Sequence, residues 1–288
     1  MNQILEKQNE PMFLQYLAAQ RQLYNEEKGL ISIWMVVSTL IALLGSSSLA
    51  FLSPIAAFIT LGAILVLLGE LYTYYIIRKR GETAASIQEL FDCELLEIPW
   101  NDYGSQKPKM ETIVDAAARY QKQATPEEVK TLINWYESDL ADLPMHKARI
   151  VCQQENIRWD KRLRQEYIRW MIIALFIIAL LLVIISIVAN WSARDFFSGP
   201  VLLMLPVFAL GIKHINDHYK AIARLIELNV HVDNLLRVAE QGNMDPAVVT
   251  QQSRQLQDQI FRHRAENPPV FNWFYERIRK KYQKKGQA

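Results

Sequence analysis

Two histidines, His214 and His218, stand four residues apart with Asp217 between them. On a helix this spacing places both imidazoles on one face, where they could share a metal ion. A metal site needs more clustered ligands than this, and the two cysteines, Cys93 and Cys152, are isolated in the sequence. An ordinary polar face beside a membrane explains the pair better, so we predict no metal site and no cofactor.

Two charged residues fall inside apolar stretches. Glu70 lies fifteen residues after Ile55 and Lys213 lies thirteen after Pro200, which places them roughly 22 and 20 Å along two helices and therefore in one layer. A charge at that depth is costly unless it is paired or hydrated. We predict a Glu70–Lys213 ion pair that fixes the helix bundle. The alternative is a water-lined vestibule that also includes His214.

Motifs of common enzyme classes are missing from the sequence. There is no GxxxxGK[ST] phosphate loop, no GxGxxG, no GxSxG and no HExxH. Nothing in the chain sets a nucleophile beside a base. We therefore predict that the protein is not an enzyme.

Four apolar segments could position these groups in a membrane. Residues 170–189, "WMIIALFIIALLLVIISIVA", carry no charge, and twenty helical residues span the roughly 30 Å of the hydrocarbon core. The block 30–77 is divided by "GSSSLAFLSP" into predicted spans near residues 30–44 and 55–77. The fourth, 200–212, reaches bilayer length only if Lys213 extends its amine toward the headgroups.

Basic residues predict the orientation. The loops 46–53 and 190–199 contain only Arg194, whereas the opposite span ends are rich in Lys and Arg. Both termini are therefore predicted to be cytoplasmic, in a multi-pass membrane protein. The predicted order is a cytoplasmic N-terminal helix (1–29), transmembrane hairpin 1 (30–77), a cytoplasmic sensor insert (78–167), transmembrane hairpin 2 (168–212) and a cytoplasmic helical tail (213–288).

The cytoplasmic parts are predicted to be helical, which makes the protein all-α. Thr125 followed by Pro126 and Glu128 is a capping-box pattern, and the helix should continue to Pro144. Thr83 or Ser86 could begin another helix that ends before Pro99.

Two longer helices follow from the absence of helix breakers. No Pro or Gly occurs between residues 145 and 198, so one helix of about 70 Å should run through the third span. Residues 212–241 also lack both, and Asp245 with Pro246 should begin the next helix.

The insert is predicted to have its own apolar core. Four residues of "FDCELLEIPW" should pack against the helix that carries Trp135, namely Phe91, Cys93, Leu95 and Leu96. Asp92, Trp100 and Asn101 are predicted to form its exposed rim.

The net charge argues against a nucleic-acid partner. It is only +2, and the bases concentrate in the last twelve residues. Such a tail is attracted to anionic lipid headgroups of the bilayer. We predict no DNA or RNA polymer as a partner.

Three segments carry a resemblance to a known family: "SIQELFDCELLEIPWND", "ARIVCQQENIRWDKRLRQEY" and "IFRHRAENPPVFNWFYERIR". They resemble the SMODS-associating four-transmembrane effectors of bacterial cyclic-oligonucleotide antiphage signalling systems. The resemblance covers nearly the whole chain. It implies an inner-membrane effector that binds a cyclic oligonucleotide made by a companion nucleotidyltransferase and then permeabilises or disrupts the membrane.

Residues of the insert could recognise such a ligand, because phosphates bind arginine and bases stack on aromatic rings. Arg149 is the strongest candidate, since it lies far enough from the membrane that the orientation rule does not explain its charge. The predicted ligand contacts are Trp100, Trp135, Tyr136, Arg149, Arg158, Trp159 and Arg162.

The spans carry few polar groups, so a water path is predicted to need several copies and therefore a homo-oligomer. The alternative function is a membrane-anchored scaffold that recruits a cytoplasmic protein through the helix at 215–241. A lipid-modifying enzyme is a third possibility, without a visible catalytic set.

Overall fold

A computed structural model of the protein describes residues 2–46, 75–104, 106–136, 140–197, 201–241 and 245–286. These residues contain helices and no strand, which confirms the predicted all-α class. The helices are α1 (Ile4–Lys7), α2 (Pro11–Ser46), α3 (the described residues 75–95), α4 (Met110–Gln123), α5 (Pro126–Lys130), α6 (Met145–Val188), α7 (Ala193–Phe196), α8 (Leu202–Glu240), α9 (Pro246–Glu266) and α10 (Asn272–Gly286).

The two longest helices of the second half, α6 and α8, are continuous as predicted. α6 has 44 residues, hence about 66 Å at 1.5 Å per residue. Near the predicted membrane end, Ile168 packs against Ile215 and Ile222. At the far end, Ile150 shares a cluster with Leu235 and neighbouring α8 residues. A residue late in α6 thus contacts residues early in α8, and a residue early in α6 contacts residues late in α8. The two helices therefore run antiparallel.

Membrane-spanning capacity is clearest in α6. Among the described residues it is the one helix long and apolar enough to cross a bilayer, and its most apolar window has no buried residue. The predicted first span lies within α2, and residues 202–212 of the fourth lie within α8. Most of the predicted second span is outside the described residues, so the arrangement of four spans as two hairpins stays a prediction.

The predicted burial of the insert core is confirmed, but its predicted partner is not a helix, because Trp135 lies after the end of α5. Phe91, Cys93, Leu95 and Leu96 are buried in one cluster with the N-terminal half of α2 and with α4. The ring centroid of Phe91 lies 6.4 Å from that of Trp135 in an edge-to-face contact. The helical segment before the first span therefore belongs to the same core as the insert.

The predicted helix from Thr125 to Pro144 is too long. Its capping box is present, with the Thr125 hydroxyl accepting from the Glu128 amide, but the helix ends at Lys130. Asn134 then has a φ of 53°, a left-handed conformation that asparagine tolerates. Gln8 and Asn9 bind the amides of Tyr136 and Asn134 at 2.8 and 2.9 Å. Contacts from the N-terminus thus replace helical hydrogen bonds.

Two predictions about α3 and its end are wrong. Thr83 and Ser86 do not begin a helix, because both lie inside α3 and donate to backbone carbonyls four residues earlier. Asp92 is not on an exposed rim: its side chain is buried and accepts 2.6 and 3.1 Å hydrogen bonds from Arg264 and Tyr136. A buried carboxylate needs such partners, and α9 supplies the arginine.

Candidate functional site

A cavity of about 180 Å³ lies between α2, α6, α9 and α10, on the predicted cytoplasmic side. Its wall combines cationic, aromatic and amide side chains with a few apolar ones. The lining residues are Gln20, Arg21, Tyr24, Lys28, Gln88, Trp135, Asn156, Ile157, Trp159, Asp160, Leu163, Arg164, Leu225, Ile260, His263, Arg264, Asn267, Pro269, Val270 and Tyr275.

Helical spacing brings the residues of each wall together. Arg21, Tyr24 and Lys28 follow one another at intervals of three and four, so they share a face of α2. Asp160 and Arg164 are likewise one turn apart on α6. The cavity is thus formed by chain segments far apart in sequence, since Arg21 and Tyr275 both belong to its wall.

Two cations of the cavity wall form no salt bridge with the described residues, although the charges of Glu27 and Glu276 act on Lys28 from farther away. The Arg21 guanidinium and the Lys28 amine lie 5.1 and 5.9 Å from the centre of the Tyr275 ring. Lys28 also donates to Asn272 at 2.7 Å. Across the described residues, neither cation has a carboxylate oxygen within 4 Å. Burial of the Lys28 amine, and next the charge of Arg21, lower its pKa to about 7. This half of the cavity is suited to an anion.

The other two cations of the wall are already paired. Arg264 binds Asp92 at 2.6 Å, and Arg164 binds Asp160 at 2.9 Å. Asp160 also accepts from His263 Nε2 at 2.8 Å. Burial raises the pKa of Asp160, but the Arg164 charge and the His263 bond outweigh it and hold the pKa well below its usual range. Asp160 therefore stays ionised and keeps Arg164 in place.

Arg164 connects the cavity with the membrane end of α8. It donates to His218 Nδ1 at 2.9 Å, and a guanidinium can only donate. His218 must then carry its proton on Nε2, which points at His214 Nε2 at 3.2 Å. The Tyr167 hydroxyl lies 3.2 Å from that same His214 atom. We call this chain of hydrogen bonds, Arg164–His218–His214, the histidine relay.

The histidine relay gives both imidazoles hydrogen-bond partners within the protein. Burial, and then the Arg164 charge, lower the pKa of His218, and burial also lowers that of His214. Both imidazoles are therefore neutral, and their ring nitrogens that face each other are already engaged. No group of three or more His, Cys, Asp or Glu side chains suited to a metal occurs in the part of the chain that the structure describes.

Two of the seven sequence-predicted ligand contacts line the cavity, namely Trp135 and Trp159. Tyr136 is buried beside it, with its hydroxyl bound to Asp92 at 3.1 Å. Trp100 is partly buried against the insert core.

The predicted arginine contacts lie elsewhere. Arg149 is buried and donates to Thr250 at 3.0 Å. Arg158 pairs with Asp233 at 2.9 Å, and Arg162 lies 4.8 Å from the centre of the Tyr282 ring. The structure does not bring these three together with the cavity.

Only one residue of the predicted Glu70–Lys213 ion pair, Lys213, belongs to the described part of the chain. Glu70 lies outside the described residues. The Lys213 amine is mostly exposed and lies 3.7 Å from an Asp217 carboxylate oxygen, one turn away. His214 belongs to the histidine relay.

Sequence reasoning missed the cavity residues outside the insert. Arg21 and Lys28 are among the basic residues that precede the first predicted span, and Arg264 and Tyr275 fall within the predicted tail (213–288). The spacing of Arg21, Tyr24 and Lys28 on one helical face was the available signal. Nothing in the sequence indicated that this face would meet α10.

Comparison with known proteins confirms that the family resemblance covers nearly the whole chain. The family model described as the SMODS-associating 4TM effector domain matches residues 2–288. A Bacillus cereus (strain VD146) protein named a probable CBASS effector molecule is 25% identical over 285 residues, covering 94% of this chain and 92% of that protein. No solved structure matches the chain. With a family model that spans essentially its full length, the chain belongs to the SMODS-associating 4TM effectors.

Proposed function

We propose that the protein is an inner-membrane antiphage effector that binds a cyclic oligonucleotide in the cavity and then permeabilises or disrupts the membrane. Family membership, and the description of the Bacillus cereus relative as a probable CBASS effector, support the antiphage role. The observation that carries the ligand assignment is that Arg21 and Lys28, which form no salt bridge, both lie within 6 Å of the centre of the Tyr275 ring.

The cavity chemistry fits a phosphodiester ligand with flat bases. Arg21 and Lys28 supply charge for a phosphate, and Trp159 and Tyr275 supply ring surfaces for a base. The amide of Asn156 lies in the same wall and could bind a base edge. A phosphate beside Lys28 would also favour its charged form, so binding would take up protons near pH 7.

The cavity is too small to hold the whole ligand as it stands. Its volume of about 180 Å³ is below the roughly 300–1,000 Å³ of typical small-molecule sites. A cyclic oligonucleotide would have to widen it by moving at least one of α2, α6, α9 and α10. Binding is therefore coupled to helix movement in this proposal, as an effector requires.

The histidine relay gives that movement a route to the membrane. A phosphate that attracts Arg164 would weaken its bond to His218, and His218 holds His214 near the end of the predicted fourth span. α6 itself passes unbroken from the cavity wall into the apolar stretch. Cavity widening would thus shift α6 and α8 where they enter the membrane.

Disruption of the bilayer is proposed to require several copies. The predicted spans contain too few polar groups for a water path through one chain. A homo-oligomer could line a path with Lys213 and His214, together with Glu70, around a closed symmetry axis.

A thermal-shift screen tests ligand binding. Detergent-purified protein is heated with cyclic di- and trinucleotides, because a ligand that binds the folded form raises the unfolding temperature by mass action. We expect one nucleotide to raise it, and Arg21→Met to abolish that rise. Arg262→Met, an exposed arginine of α9 outside the cavity wall, is the matched control and should respond like the wild type.

The outcome also separates the two function classes. A scaffold that recruits a protein through residues 215–241 would show no shift with any nucleotide. Dye-loaded liposomes test the second step: release should require the nucleotide and should rise faster than linearly with protein density. Release without nucleotide, or strictly in proportion to density, would contradict ligand-driven assembly.

A further inference from the structure

The N-terminal turns of α10 lie where three predicted spans reach the cytoplasm. Asn272 accepts from Lys28 at 2.7 Å, two residues before the first predicted span. Phe271 stacks on His214 with ring centroids 6.2 Å apart, just beyond the fourth. The Arg277 guanidinium lies 4.7 Å from the ring centre of Trp170, the first residue of the charge-free stretch in α6. Three independent contacts thus hold the start of α10 beside the predicted cytoplasmic ends of these spans.

Further along, α10 recedes from the membrane. Lys281 lies 3.6 Å from Glu166, one turn of α6 below Trp170. Arg162, a turn lower again, stacks on Tyr282 at 4.8 Å. The first two turns of α10, around Trp273 and Arg277, are therefore the part of this helix nearest to the ends of the predicted spans.

The two faces of α10 differ in chemistry. Phe274 and Ile278 are fully buried against α6. Trp273 is 64% exposed, and Arg277 and Lys280 are exposed at spacings of four and seven residues from it. Tryptophan is enriched at membrane–water interfaces, and a large exposed ring flanked by cations is suited to the headgroup layer.

We propose that Trp273, Arg277 and Lys280 form a binding surface for anionic phospholipids of the cytoplasmic leaflet. Trp273 and Trp170 rest at the headgroup level, and Arg277, positioned on the Trp170 ring, binds a lipid phosphate together with Lys280. The negative potential of that leaflet complements the surface. The inference rests on the membrane placement in the proposed function, but it requires no nucleotide.

This surface shares a helix turn with the ligand cavity. Tyr275, which lies between Trp273 and Arg277 in sequence, forms part of the cavity wall. One side of α10 would then bind lipid while the other lines the cavity. Lipid binding and ligand binding would be linked, and linked binding equilibria affect each other reciprocally. The lipid composition could therefore change the affinity for the ligand.

The test measures binding of a fluorescent short-chain phosphatidylglycerol to the detergent-purified full chain by anisotropy. We expect it to bind more tightly than the matching phosphatidylcholine. Each basic residue near a charged surface contributes a factor of about five, so Arg277→Met with Lys280→Met should weaken binding by about thirtyfold. The control removes the same charge from α4 and α5, as Lys122→Met with Lys130→Met, both exposed, and should bind as the wild type does.

A second measurement locates the surface in the bilayer. Trp273→Cys is labelled with a fluorophore in liposomes that contain spin-labelled lipid; the native Cys93 and Cys152 are buried. We expect stronger quenching than for a label at Glu111→Cys on α4. Equal quenching at both sites, equal binding of the two lipids, or undiminished binding by the Arg277/Lys280 variant would overturn the proposal. Because no nucleotide is present, these results are independent of whether the cavity binds one.

Discussion

Replacing Lys28 by methionine should stabilise the ligand-free protein while abolishing its response to nucleotide. The Lys28 amine has no carboxylate partner among the described residues, and burial lowers its pKa to about 7. The shift from 10.5 would correspond to about 5 kcal/mol of unfavourable free energy for the charged form. Solvent at the cavity mouth reduces this, and Lys28→Met also removes a hydrogen bond to Asn272 worth about 1 kcal/mol. We expect a net gain of about 1–3 kcal/mol in unfolding free energy.

The sign of the pH dependence follows from the same shift. Below pH 7 the lysine is protonated in both folded and unfolded protein, so the penalty for its charge is complete. Between pH 7 and 10.5 the unfolded chain holds more protons, so wild-type stability rises with pH as the penalty is lost. The gain from Lys28→Met should therefore be largest below pH 7 and vanish near pH 10.5.

Intrinsic-fluorescence melting curves at pH 6 and pH 9, with and without nucleotide, measure both effects. Lys122→Met, which removes an exposed lysine of α4, should change neither the midpoint nor the nucleotide response. A Lys28→Met protein that melts earlier than the wild type at pH 6, or gains equally at both pH values, would refute the account of an unpaired, destabilising cation. A stabilised variant that still responds fully to nucleotide would remove Lys28 from the ligand site.

Three further predictions follow from the same contacts. Arg149→Ala should leave the nucleotide-induced thermal shift intact, because Arg149 is buried against Thr250 and does not line the cavity; a lost shift with unchanged folding would return it to the site. Asp92→Asn should cost about 3–5 kcal/mol of unfolding free energy in denaturant titrations, because it leaves the buried Arg264 charge without its counterion; the exposed Asp102→Asn is the control, and equal losses would contradict the buried pair. His218→Leu should keep nucleotide binding but reduce nucleotide-dependent dye release at least tenfold relative to the exposed His231→Leu, because it breaks the histidine relay; undiminished release would exclude the relay as the route.

The sequence was sufficient for the long helices and the insert core. Continuous helix from Met145 to Val188 follows from the absence of Gly and Pro, and burial of Phe91 and Leu95 follows from their apolar spacing. Both features can be predicted because helix continuity depends on residues close in sequence, and because burial of these side chains depends only on their nonpolar character.

Long-range polar contacts account for what the sequence could not predict. The helix after Thr125 stops early because Gln8 and Asn9 bind the following backbone. Asp92 is predicted to lie on the exposed rim of the insert, but it is buried because Arg264, more than 170 residues later, neutralises it. Arg21 could not be assigned to a cavity for the same reason, since its neighbour Tyr275 comes from the other end of the chain.

The small volume of the cavity has a consequence for when the proposed effector responds. If the free protein is mostly in a form too narrow for the ligand, only the rare widened form is competent to bind. With about 1% of molecules widened, the apparent dissociation constant is about a hundredfold weaker than the intrinsic one. Trace nucleotide in an uninfected cell would then leave nearly all copies inactive, and only a surge in its concentration would shift the population. The close packing of α2, α6, α9 and α10 would in this way set the nucleotide concentration at which the proposed effector becomes active.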